Sequence, residues 1–455
     1  MSVTSKKSLT FPGGIHPPEK KSLTINSKIH TGFMPKEVAV LLSQHIGAVC
    51  EPLIRKGSLV QAGQKIGDCD AYVSAPIHSP VTGKVKEIAL RSHAVIGRIP
   101  AVIIETLPAH PVKKGCVQFD EEFDINKYSV EKICEAVREA GIVGMGGAGF
   151  PTRVKIEPNP RLPKTTMIVN GCECEPYITC DYQIMLEWTK QILIGVKLAK
   201  KASGCSKAFI GIEDNKPQAI EMMETVLNSL GTDEIEIIPV KTKYPQGGER
   251  QLIRSILKKN VPTGGIPPMI GVLVLNVATC AAIAEAVVAD VPLTHRVVTV
   301  TGEAIAEPGN YYVPIGTSIE TLLEVCGGVT QKSARVIMGG PMMGIAIADL
   351  TTPTTKTTGA VTVITKEQMG MAKFERRETA CIHCGRCLAV CPENLNPTRI
   401  AHAVKNNLMD VAKSYYITAC IECGCCSYVC PAHIEITGYI KTGKIFLARQ
   451  KKKIP

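Results

Sequence analysis

The hydrophobic pattern changes period several times along the chain. Between Glu51 and Ile88, apolar positions come in short alternating segments broken by Gly57, Gly63, Gly67, Pro76, Pro80 and Gly83. That pattern predicts an all-β unit with tight turns. From Ser129 the spacing becomes helical: Ile133, Val137 and Ala140 fall on one face, Ser129 can cap the start and Gly141 can end it. Apolar runs at Thr165–Asn170, Lys207–Glu213, Ile235–Val240 and Gly271–Val277 then alternate with helical stretches up to about Val291. Such alternation predicts a mostly parallel sheet. Met269–Val288 is almost long enough to span a bilayer. It contains Asn276, Thr279 and Glu285, and its first half is β-branched, so it reads as a strand, Gly271–Val277, followed by a helix from about Thr279.

Val297–Val329 forms a small unit of strands, with a turn at Pro308-Gly309 and a helix from Ser318 stopped by Gly327-Gly328. Thr351–Thr358 reads as a turn or linker, and the chain is helical from about Met369. The expected fold is multidomain α/β. Its units are a β domain over 1–115, an α/β domain over 125–292, a small β unit over 293–350 and a helical domain over 365–455.

Composition narrows this picture. The 455 residues are 45% hydrophobic but only 4% aromatic, with one tryptophan, so the cores must be aliphatic. The formal charge of +11 is partly collected in the tail, where Lys441, Lys444, Arg449, Lys451, Lys452 and Lys453 occur with no acid among them. The tail is either a solvated terminus or a tether to a membrane partner or to lipid headgroups. The N-terminus has charges but no apolar core of a signal peptide. Nineteen cysteines in a chain without that export signal point to reduced thiols and metal rather than disulfides.

Eight of these cysteines carry the strongest chemical signal. "CIHCGRCLAVCP" contains Cys381, Cys384, Cys387 and Cys391, and "CIECGCCSYVCP" contains Cys420, Cys423, Cys426 and Cys430. Zinc sites usually use two separated C-x2-C pairs. Three thiolates within seven residues instead wrap three corners of a cubane, and the cysteine before proline ligates the other cluster in two-cluster ferredoxins. One 4Fe–4S cluster is therefore expected on Cys381, Cys384, Cys387 and Cys430. The second is expected on Cys420, Cys423, Cys426 and Cys391. Cys425 is off the spacing, and the ten scattered cysteines, Cys116 among them, default to small core residues. Two cubanes form an electron wire but cannot exchange a hydride with nicotinamide, so a flavin is needed between them.

"GMGGAGFPT" (Gly144–Thr152) superficially fits the dinucleotide fingerprint G-x-G-x-x-G. A Rossmann loop follows a strand and opens a helix. Here a predicted helix precedes the loop and Pro151 follows the third glycine. A bare packing turn is one alternative. The other is a glycine-rich loop whose amides approach a phosphate or a flat ring.

Resemblance to known families adds to this reading. Glu51–Ile88 resembles the barrel-sandwich fold of biotinyl and lipoyl domains, without their modifiable lysine in Cys69–Ser74, which implies a structural or docking role. Val297–Val329 resembles the SLBB module, a β-grasp-like domain. "GMGGAGFPTRVK", "VNGCECEP", "YPQGGE" and "LNVAT" resemble, in that order, pieces of the flavin subunit of respiratory complex I. The resemblance implies that Gly144, Gly146, Gly149, Lys155, Asn170, Glu173, Gly247, Asn276 and Thr279 line a non-covalent FMN, and that Phe150, Glu175 and Glu249 face NAD(H). Met145, Cys172, Gly248 and Leu275 depart from the family pattern, so the polar grip differs in detail.

The order of "FPGGIHPP", "VSAPIHSPVTGKV", the glycine loop, the SLBB-like unit, "GGPMMG" and two clusters resembles the RnfC family over nearly the whole chain. RnfC is the peripheral NAD/FMN/iron–sulfur subunit of Rnf ferredoxin:NAD oxidoreductases. The resemblance implies an electron-transfer subunit on the cytoplasmic face of the bacterial inner membrane. Its implied partners are integral membrane subunits and an iron–sulfur subunit that accepts electrons from ferredoxin, with no nucleic acid. The alternative is a soluble flavin/iron–sulfur cobalamin reductase, a family with the same loop and paired clusters.

Overall fold

The computed structural model describes residues 9–108, 123–231, 234–330, 333–368 and 378–452. Cys116, the first eight residues and the last part of the basic tail, including Lys453, lie outside them.

The predicted β unit is two facing sheets. One contains Glu37–Leu41, Gly97–Thr106, Gly83–His93 and Leu59–Val60 in that spatial order, and the other Glu51–Pro52, Lys65–Asp68 and Ile77–His78. Alternation puts Val38, Val40, Ile66, Ile77, Val85, Val102 and Ile104 between the sheets, each almost fully buried. Residues 9–30 do not join this unit. Leu9 bridges Val240 and Ile15 bridges Tyr244 in the α/β domain, while Ile29–His30 pairs with Gly309–Pro314.

The α/β domain holds four parallel strands in the order Ile235–Val240, Lys207–Glu213, Thr166–Gly171 and Val272–Asn276. The helix Val130–Glu139 begins with the Ser129 hydroxyl accepting from the Lys132 amide, as the pattern predicts. The apolar run is a strand followed by a buried helix, Val277–Ala289, which starts two residues earlier than expected because Asn276 caps it. It is hydrophobic all round because it is enclosed by other elements. Its neighbour Thr189–Ser203 approaches so closely that a Cβ on Gly195 would meet the Cys280 carbonyl oxygen at 1.7 Å.

The small β unit is larger than its sequence boundaries suggest. Its six-stranded sheet runs Ile29–His30, Gly309–Pro314, His295–Thr301, Ala360–Thr365, Ser333–Met338, Ile345–Ile347. Ala360–Thr365 therefore lies inside the sheet although it is beyond residue 350. The stretch read as a linker is buried at Thr352, Thr354, Thr355, Lys356 and Thr358. The cysteine-bearing region is helical, with Pro397–Lys405 packed on Ile436–Lys452 around Ile400, Ile417 and Ile440.

Candidate functional site

The glycine loop connects the helix Val130–Glu139 to the short helix Thr152–Ile156, and it is closed on itself. The Gly144 amide donates to the Phe150 carbonyl at 2.8 Å, and the Gly149 amide donates to the Gly144 carbonyl at 3.0 Å. The Met145 amide donates to Thr279 Oγ1 at 2.9 Å, and Lys155 Nζ donates to the Val274 carbonyl at 3.2 Å. The loop is buttressed from outside its domain. The Ile46 amide reaches the Gly149 carbonyl at 3.0 Å, and a Cβ on Gly149 would meet Thr357 at 2.9 Å. Gly146, Gly147 and Ala148 remain exposed, and their amides find no acceptor among the described residues. Gly147 has φ +103°, and nothing lies within 4 Å of where its Cβ would be. Three free amides on an open glycine turn fit an anionic or electron-rich ligand.

The two asparagines stand side by side beneath this turn, at the ends of adjacent parallel strands, where open α/β sheets bind ligands. Asn170 Nδ2 donates to the Gly247 carbonyl at 2.8 Å, and its Oδ1 accepts from the Cys172 amide at 3.0 Å. Asn276 is committed at both ends: Oδ1 caps the helix at Ala278 and Thr279, and Nδ2 donates to Asp181 at 2.6 Å. Asn276 and Thr279 thus hold the loop from within. A Cβ on Gly146 would sit 3.4 Å from Asn276 Cβ. Lys155 lies 3.6 Å from Glu249, which is 42% exposed at the rim, and Phe150 is half-buried beside the loop.

Glu173 and Glu175 point elsewhere. Glu173 Oε1 accepts from the Asp181 amide at 2.6 Å, and Oε2 lies 3.8 Å from Lys21. Glu175 accepts from the Met342 and Met343 amides at 3.1 and 2.7 Å, clasping the "GGPMMG" turn of the small β unit. Burial raises the pKa of each to about 7; Lys21 opposes this at Glu173, as the methionine amides do at Glu175. The carboxyl of Glu175, expected to face NAD(H), makes a contact between domains in this structure.

Sequence reasoning missed the residues that pin this loop from below. Lys21 Nζ donates to the carbonyls of Glu173 at 2.9 Å and Glu175 at 3.1 Å, and Lys216 Nζ to that of Cys172 at 2.6 Å. Lys21 and Lys216 are distant in sequence, and no motif marks them. Arg296, which is buried, and Asp181 were also missed; an arginine leading a β-branched run in the strand His295–Thr301 was a usable signal.

The second cysteine motif docks on the same site. Cys391, Cys420, Cys423 and Cys426 line one cavity together with Cys425, and Ile400, Ile421 and Ile440 close it. The first four are the crossed set expected from spacing. Backbone amides donate to two of its sulfurs, Leu395 to Cys391 at 3.3 Å and Glu422 to Cys420 at 3.4 Å; burial pushes both thiols up, and these amides oppose it. Among the described residues, no three His, Cys, Asp or Glu close on one point as a single ion requires. The donors and the cavity fit a cubane. Tyr244, in the "YPQGGE" segment, donates from its hydroxyl to the Cys423 carbonyl at 2.7 Å. Arg250 and Gln251 hold Glu393 at 2.9 and 2.6 Å. Cys384, in the first motif, is exposed. Of the scattered cysteines, Cys50, Cys134, Cys172, Cys180, Cys205, Cys280 and Cys326 are buried core residues, as expected.

Comparison with known proteins agrees with this architecture. Residues 9–107 match the RnfC barrel sandwich hybrid domain, 137–285 the Nuo51 FMN-binding domain, 297–346 the SLBB domain and 373–433 the 4Fe-4S dicluster domain. The chain is 41% identical to the C component of the proton-translocating ferredoxin:NAD(+) oxidoreductase complex of Clostridium ljungdahlii, covering 90% of this chain and 87% of that one. It is 39% identical to the C component of the Na(+)-translocating ferredoxin:NAD(+) oxidoreductase complex of Acetobacterium woodii, over 89% of each chain. The C component of an ion-translocating oxidoreductase complex of Rhodobacter capsulatus is 38% identical, over 86% of this chain and 74% of that one. Among solved structures, an NAD+-reducing [NiFe]-hydrogenase in the H2-reduced state aligns with TM-score 0.48 and 20% identity, over 71% of this chain and 62% of that one. The barrel-sandwich domain, the FMN-binding domain, the SLBB domain and the dicluster domain, in that order, together with these relatives, place the chain in the RnfC family, the C components of ion-translocating ferredoxin:NAD oxidoreductase complexes.

Proposed function

We propose that this chain passes electrons between two 4Fe–4S clusters and NAD(H) through FMN, as a peripheral subunit on the cytoplasmic face of a membrane-bound Rnf complex. Among the described residues, no helix is long and apolar enough to cross a membrane. The observation that carries the reading is the seat of the second cysteine motif on the flavin domain, where the Tyr244 hydroxyl meets the Cys423 carbonyl three residues before Gly247.

When bound, FMN exchanges hydride with nicotinamide and single electrons with iron–sulfur clusters. The Gly146–Ala148 amides and Lys155 would hold the flavin's anionic and electron-rich atoms, with Asn170 and Gly247 at its edge. Phe150 and Glu249 stand at the open rim, where NAD(H) would enter. Cys420, Cys423, Cys426 and Cys391 would hold the inner cluster. Cys381, Cys384, Cys387 and Cys430 would hold the outer one, whose exposed Cys384 end suits exchange with a partner protein. No acid–base pair is needed, and the protein's part is alignment and insulation.

Anaerobic purification followed by iron, sulfide and flavin analysis tests this reading. Iron for two four-iron clusters and one non-covalent FMN are expected, with flavin bleaching on NADH addition. Iron for a single cluster, or no flavin, would refute it.

A further inference from the structure

Arg296 is the buried charge that the flavin reading leaves unused. It stands on the strand His295–Thr301, all seven residues of which are buried, and it is itself 2% exposed. Its guanidinium leaves the sheet and runs beneath the glycine loop. Nη2 donates to the Met145 carbonyl at 3.2 Å and Nε to the Thr358 carbonyl at 3.4 Å, while Nη1 finds no partner among the described residues. Asp181 and Cys180 are close enough to sense its charge, and Asp181 accepts from Asn276 at 2.6 Å. A buried guanidinium with an unpaired N–H is costly.

The bond to Met145 has a geometric consequence. A trans peptide points its C=O and the following N–H in opposite directions. Holding the Met145 carbonyl inward therefore turns the Gly146 N–H outward, onto the exposed side of the loop. The Met145 amide is tied at the same time to Thr279 Oγ1 at 2.9 Å, so the residue cannot swivel.

We propose that Arg296 is a positioning residue for the flavin: through the Met145 carbonyl it presents the Gly146 amide to the ligand, and its charge beneath the loop favours the more electron-rich, reduced form. This rests on the reading that the loop takes FMN. The test uses the full chain, stripped of flavin and titrated with FMN by fluorescence quenching, with the flavin midpoint potential measured on the reloaded protein. R296M is expected to bind FMN at least tenfold more weakly and to shift the potential to a more negative value. R296Q keeps a donor for Met145 without the charge, so it is expected to recover affinity while its potential stays shifted. If R296M does not fold, R296Q decides alone, because a wild-type potential in that variant overturns the proposal. Wild-type affinity and potential in both variants, with unchanged melting, overturn it as well. A wild-type chain that takes up no FMN instead refutes the flavin reading itself.

Discussion

The two cysteine motifs are near copies in local structure and opposites in surroundings. In each, the residue after the second cysteine is a left-handed glycine, Gly385 or Gly424, that opens a one-turn helix, Arg386–Ala389 or Cys425–Tyr428. In each, the residue before that cysteine has positive φ, His383 at 56° and Glu422 at 58°. A threonine hydroxyl meets the third cysteine of both, Thr398 at Cys387 (2.8 Å) and Thr437 at Cys426 (3.5 Å). Around Gly385 a Cβ would meet nothing within 4 Å, whereas at Gly424 it would meet the Met342 carbonyl at 3.1 Å. The same spacing thus builds the same loop twice, and docking alone makes one inner and the other outer. The odd residue Cys425 follows from this. It occupies the position of the exposed Arg386 but is fully buried against Tyr244, where a small apolar side chain fits and a guanidinium does not.

The largest expected difference is functional. C423S should remove the inner cluster and abolish NADH-driven reduction of the outer cluster, while NADH still bleaches the flavin. C384S should leave NADH reduction of the inner cluster visible by electron paramagnetic resonance and lose only the transfer to a partner. Indistinguishable spectra from the two variants would break the inner–outer comparison.

Next in size is the swap at the odd position. C425R should destabilise the docked domain by about 3–5 kcal/mol by burying an unpaired charge, whereas R386C should change stability by no more than about 0.5 kcal/mol. Thermal melting of the two variants checks this.

The seat of the inner motif should also respond to pH through Glu175, which holds the Met342 turn. Burial raises its pKa from 4.5 to about 7, with Lys21 and Lys441 nearby pulling the other way. The folded state then keeps a proton that the unfolded chain releases. The contribution of this group is complete below pH 4.5, falls as pH rises to about 7 and is flat above that, a loss of roughly 3 kcal/mol. E175Q should flatten that slope in a series of melts against pH.

Of the changes at the docked seat, the smallest loss is expected from Y244F, which removes one hydrogen bond to Cys423 at about 1 kcal/mol. It should lower melting slightly and slow electron passage from flavin to the inner cluster in stopped-flow traces.

Much of the site was legible because its chemistry is local. The cysteine spacing, the Ser129 cap, the parallel strands and the glycine loop each depend on residues within one turn or one strand of each other. The crossed cysteine set around the cavity was legible too, because in two-cluster ferredoxins the cysteine before proline in this spacing ligates the other cluster. The features that the sequence did not announce all concern groups paired across long sequence separations. Glu175 was aimed at NAD(H) but is taken by amides 167 and 168 residues away. Thr351–Thr358 looked like a linker because threonines give no period, yet it is packed between domains: Lys356 Nζ reaches the Pro76 and Gly141 carbonyls, both at 2.6 Å.

By itself the sequence determined the ligands of two iron–sulfur clusters and the order of its structural units, because ligand spacing, capping and strand period are short-range properties, while family resemblance supplied FMN. Only the tertiary structure decided which cysteine motif packs on the Tyr244 segment of the flavin domain, and that Arg296 and Lys21, from other parts of the chain, brace the site. The reason is physical: a buried charge is stable only where distant segments bring it partners, and no local pattern records where those segments meet.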